Sequence, residues 1–168
     1  VDYYLKGTGS QPASNVTAYT QTCPNGTPGG GPYTANDWAS LAPGELVLKN
    51  AASQTIAADG GDPTVSATFN PVPAGQACAT APNAKETGTA SYDMPAAPAA
   101  GYTVLGSATV LAKITGGNPD SQVAVRLLDI NPAGTETLIS RATWRPADST
   151  GYPPCPPHPG AWQGEPGP

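Results

Sequence analysis

Charge is scarce in this chain. Lys, Arg, Asp and Glu make up 11% of its 168 residues, and seven basic residues within a net charge of −5 form no stripe. A nucleic-acid partner, which needs a basic face to neutralise phosphates, is therefore not expected. Histidine occurs once, at His158, so general-base chemistry has a single imidazole to draw on, and no Gly-x-Ser-x-Gly elbow is present. No apolar run approaches the length of a membrane span, so no membrane partner is expected either. The three cysteines, Cys23, Cys78 and Cys155, form no Cys-x-x-Cys pair, which argues against zinc. Val1-Asp2-Tyr3-Tyr4 has neither the basic start nor the apolar centre of a signal peptide; if the parent protein is exported, its signal is expected upstream.

Glycine (20) and proline (21) are plentiful, with no collagen-like period, and they punctuate short apolar runs as turns do. A chain of this length is expected to be one domain burying about 70% of its unfolded surface. Three strand-like runs stand out: Tyr102–Ile114, Gln122–Ile130 and Thr137–Arg145. The first two are separated by 115–120 and the last two by Asn131-Pro132-Ala133-Gly134, where Pro sets φ and Gly admits φ > 0. In the second run Val123, Val125 and Leu127 share one face. In the third, Trp144 falls on the side expected inward, and Arg141 and Arg145 on the side expected outward. Shorter strands are expected at Asn15–Cys23, Glu45–Leu48 and Asp62–Pro71, the last with Val65, Ala67 and Phe69 on one face.

These runs carry a resemblance. Arg126, Leu127, Asp129, Pro132 and Gly134 match an Arg-Leu-x-Asp-x-x-Pro-x-Gly pattern, preceded by Thr103–Val110 and followed by Leu138–Pro146. Together they resemble the C-terminal domain of the Xaa-Pro dipeptidyl-peptidase and cocaine-esterase-like serine hydrolases. Two further segments fit that likeness. Asp2-Tyr3-Tyr4-Leu5-Lys6-Gly7 resembles the helix end that closes the catalytic domain, with Gly7 as the stop. Tyr33–Leu41 resembles a Tyr-x-Ala-x-x-Trp-x-x-Leu segment, in which Trp38 is expected to pack at the edge of a sandwich.

The resemblance implies an all-β domain, a galactose-binding-like jelly-roll β-sandwich, over 11–146. Residues 1–10 would end a helix of a preceding α/β-hydrolase domain, which is the implied partner. Residues 147–168 would form a Pro-rich irregular tail. Four prolines in Pro153–Pro157 exclude a central strand where the family has one. The last strands of the sandwich are thus expected to be missing, as in a truncated or frame-disturbed sequence. The segment Thr20-Gln21-Thr22-Cys23-Pro24 is similar to exported actinobacterial members, which implies an extracellular or cell-envelope location and makes Cys23 and Cys78 the candidate disulfide. The implied function is non-catalytic: packing on a hydrolase that cleaves an ester or an N-terminal Xaa-Pro dipeptide, and helping to shape its cleft.

No catalytic, cofactor-binding or metal-binding residue is assigned, and no cofactor is expected. Asp93, Asp120, Asp129 and Glu136 are expected to be solvated carboxylates of loops and turns, Asp129 accepting from turn amides. The alternative function is a free-standing carbohydrate-binding module of the same fold. That would need exposed aromatics, and among Trp38, Trp144 and Trp162 the sequence favours Trp162.

Overall fold

The structure, a computed structural model, describes residues 2–70, 72, 77–118 and 120–147. In chain order it forms α1 (Asp2–Lys6), β1 (Val16–Thr20), β2 (Gly30–Ala35), α2 (Trp38–Leu41), α3 (Pro63–Thr68), β3 (Thr80–Pro82), β4 (Val123–Ile130) and β5 (Thr135–Trp144). The described part is mostly β, with two antiparallel sheets and few helices. One sheet is the pair β1-β2; the other has the order β3-β5-β4.

The β4–β5 hairpin is where local chemistry and structure agree most closely. Asn131-Pro132-Ala133-Gly134 forms a four-residue connection. The Asn131 N–H donates to the Thr135 carbonyl at 3.0 Å, and the Gly134 N–H donates to the Asn131 carbonyl at 3.0 Å. Gly134 sits at φ 76°, a left-handed position that a side chain would oppose. Asn131 Oδ1 accepts from the N–H groups of both Ala133 and Thr135, at 3.0 Å each. The turn carboxamide therefore takes the role expected of Asp129, which is exposed. The strands then run in register from Ile130↔Glu136 to Val123↔Trp144, with one irregularity between Leu127 and Leu128.

The other expected strands divide. Val16–Thr20 is a strand, paired with β2 as Val16↔Ala35 and Ala18↔Tyr33. Residues 62–71 do not extend as expected. Asp62 caps a short helix by accepting from the Thr64 N–H at 2.7 Å, and Pro63 occupies the helix's first turn, where its missing N–H costs nothing. Val65 and Phe69 then share the inner side at helical spacing, while Ala67 is exposed. Tyr102–Ile114 and Glu45–Leu48 form no strand. A β-branched run becomes a strand only where a neighbour supplies ladder partners and packing, and among the described residues these segments join neither sheet. Most of their apolar side chains are left in solvent, with Leu111 92% exposed and Leu105 half-buried. At the start of the chain, the Gly7 N–H closes α1 by donating to the Tyr3 carbonyl.

Among the described residues the buried set is Phe69, Ala81 and Glu136, so the packed centre lies where α3, β3 and the start of β5 meet. Trp144 is not held inward, being 40% exposed, and Trp38 is 74% exposed instead of packed. Arg141 on β5 and Arg145 just after it are exposed, as expected, and both are engaged: Arg141 donates to the Phe69 carbonyl at 2.8 Å, and Arg145 pairs with Asp120 at 2.8 Å. Cys23 and Cys78 are joined by a disulfide, which ties the β1–β2 sheet to the segment leading into β3. His158, Cys155 and Trp162, with the Pro-rich tail, lie outside the described residues.

Candidate functional site

Three ionisable side chains gather at the packed centre. Arg126 projects from β4 and pairs with Glu86, in the loop after β3, through Nη2 and Oε1. Glu86 uses its other oxygen, Oε2, to accept the Asp62 N–H at 2.6 Å. One carboxylate thereby joins the sheet's arginine to the start of α3. The guanidinium also lies 5.7 Å from the centre of the Phe69 ring, within cation–π range. Its Nη1 is buried without a hydrogen-bond partner. Glu136 is the third member, 5% exposed. Loss of solvent pushes its carboxyl above the ordinary glutamate range. The positive charge of Arg126 opposes that shift and the negative charge of Glu86 adds to it.

The chain's path makes this grouping possible. Residues 57–61 lie against 86–88, the Ala57 N–H donating to the Gly88 carbonyl at 2.9 Å and the Gly61 N–H to the Thr87 carbonyl at 2.8 Å. The approach is close enough that a Cβ at Gly60 would fall 2.3 Å from the Gly88 carbonyl oxygen. Only glycine fits there. The clasp presents Glu86 to both Asp62 and Arg126.

A second feature lies at the far end of the same sheet. Gln122, Thr143, Trp144 and Arg145 line an open cleft of about 390 Å³, with Asp120 holding the Arg145 guanidinium. Trp144 is eight residues along β5 from Glu136, a separation of roughly 27 Å at strand rise. The acid with a raised pKa and the cleft therefore do not converge. Acid–base catalysis needs its proton donor within hydrogen-bond reach of bound substrate, and this arrangement does not supply that.

Of the residues matched to the hydrolase pattern, Arg126, Pro132 and Gly134 have the structural roles just described. Leu127 is half-buried on β4, and Asp129 is exposed beside the turn. Asp93, Asp120 and Asp129 are exposed, as expected of solvated carboxylates. Glu136 corrects that expectation, because it lies within β5 and is covered by the packed centre. The signal that could have found it is the pairing of β3 with β5, which sets Ala81 opposite Glu136. That contact joins residues far apart in sequence. No group of three or more His, Cys, Asp or Glu side chains able to hold a metal occurs among the described residues.

No protein-family model, curated protein or solved structure matches the chain.

Proposed function

We propose that the chain is a non-catalytic β domain of a serine hydrolase, of the Xaa-Pro dipeptidyl-peptidase or esterase type. It packs on an α/β-hydrolase domain and helps shape the substrate cleft, and the completed fold is a jelly-roll sandwich. The observation that carries this reading is the hairpin. The residues that resemble the hydrolase pattern, Arg126 to Gly134, fall in one folded unit, with Arg126 on a strand and Pro132 and Gly134 in the turn that joins it to the next. The apolar surface of Leu46, Leu48, Val110 and Leu111 supports a covering partner. The disulfide supports placement in an oxidising compartment, outside the cytosol.

The test begins with the encoding DNA. A Gly-x-Ser-x-Gly hydrolase joined in frame before Val1 is expected, and the joined protein should hydrolyse an Ala-Pro-anilide or a short-chain ester that the 168-residue chain alone leaves intact. The reading falls if no hydrolase precedes it in frame.

A second reading, the carbohydrate-binding module, is favoured by the exposure of Trp38 and Trp144, since sugar platforms use open aromatic faces. Retardation in gels containing polysaccharide, lost in Trp144→Ala, would support it over the first.

A further inference from the structure

The two sheets are joined by a covalent bond and by no shared ladder. Among the described residues, no backbone hydrogen bond links β1–β2 to β3–β5–β4. No residue of β1 or β2 is buried. A two-stranded sheet without a covered apolar face is marginal in water. The Cys23–Cys78 bridge fastens it, leaving the chain just past β1 and re-entering it just before β3. Cys23 is exposed, so reagents in solvent reach the bridge. Cys78 stands at φ 66°, a left-handed setting that residues with side chains rarely adopt. The other sheet is held by contacts that do not pass through the bridge. Glu86 accepts the Asp62 N–H and pairs with Arg126, Arg141 donates to the Phe69 carbonyl, and the Asn83 N–H donates to the Gly134 carbonyl at 2.9 Å.

We propose that the Cys23–Cys78 bridge is a redox-operated fastener: an external dithiol opens it, and opening it melts β1–β2 while β3–β5–β4 stays folded. One thiolate of the dithiol attacks Cys23 Sγ, the more exposed sulfur, and the bond to Cys78 breaks. Cys78 leaves as a thiolate and takes up a proton. The dithiol's second sulfur then displaces Cys23, so the dithiol is oxidised to its disulfide and the protein gains two thiols. Its two electrons are those the bridge accepts. With the bridge open, the backbone at Cys78 is free to leave the left-handed region. Val16–Thr20 and Gly30–Ala35 are left as an isolated pair with no buried side chain to hold them together. Phe69, Ala81 and Glu136 remain covered, because α3, β3 and β5 are joined by their own hydrogen bonds and packing. Neither step requires a hydrolase domain.

The test uses the full chain carrying Cys155→Ser, so that every thiol that appears comes from the bridge. Dithiothreitol added to the folded protein should release the thiols of Cys23 and Cys78 without denaturant. Hydrogen-exchange protection of the β1–β2 amides should then be lost, while the β4–β5 amides keep theirs. Reoxidation should restore the lost protection. Cys23→Ser combined with Cys78→Ser should show the same division between the sheets with no reductant present. The proposal is overturned if both sheets lose protection together, if β1–β2 stays protected with the bridge open, or if dithiothreitol opens the bridge only in urea. Should the double variant fail to fold, the exchange pattern of the reduced chain decides, because it is read on protein that folded before its bridge was opened.

Discussion

Asn131 closes the β4–β5 turn with one oxygen that accepts two backbone amides, those of Ala133 and Thr135. Its removal leaves both donors to water in a turn that sets the register of the longest strand pair. Asn131→Ala should therefore cost about 1–2 kcal/mol, read as a lower urea midpoint. Asp129→Ala, at an exposed position, should stay within about 0.5 kcal/mol. At Asp37 the direction depends on pH. Its side chain accepts from the Ser40 N–H at 2.7 Å, and hydrogen bonding to Ser40 holds its carboxyl below the ordinary aspartate range. The ionised form is the one that caps α2, so this contribution is present above the ordinary aspartate range and lost as pH falls through the lowered value. In Asp37→Asn the acid limb of the stability profile should be shallower. Asp37 and Glu136 thus act in opposite directions, one favouring the fold as its proton leaves and the other as its proton binds.

The informative element is α3, because its sequence supports two periods. Val65, Ala67 and Phe69 alternate as a strand would, while Asp62-Pro63 is a helix start, with a capping carboxylate followed by a proline that needs no donor. The capping interaction prevails, and Asp62→Ala should weaken α3 by about 1 kcal/mol, seen as faster exchange at the Ser66 and Phe69 amides. The hairpins show how much of the fold could be read from neighbouring residues. Val123–Ile130, its turn and the following strand are set by alternation plus Pro132 and Gly134, all within two dozen positions. Tyr102–Ile114 has equally strong β-branched character but lies unpaired, since a strand is a property of two segments and the sequence displays one at a time. The same limit hid the candidate site. Arg126 was legible as part of a pattern, but its partners Glu86, Phe69 and Glu136 come from three other parts of the chain. Glu136 resembles any turn carboxylate until β3 is laid beside β5.

Taken as a whole, the molecule has two small sheets and a disulfide that links the end of one to the approach to the other. Cys23 and Cys78 are 55 residues apart, so the bridge should contribute about 4 kcal/mol by limiting the unfolded chain. With only Phe69 and Ala81 as buried apolar residues among those described, a loss of that size is large against ordinary domain stability. Reduction should lower the urea midpoint accordingly. In denatured, unreduced protein, Cys23 and Cys78 should resist a thiol reagent until reductant is added. The position of β5 also imposes an order on assembly. Its pairing with β4 closes a loop of four residues, whereas its pairing with β3 joins Thr80 to Thr137 across about a third of the chain. Loop-closure entropy makes the near contact the early one and the far contact the late one. The centre that buries Glu136 therefore forms after the hairpin, so the folding chain carries that carboxylate in water until β5 docks on β3.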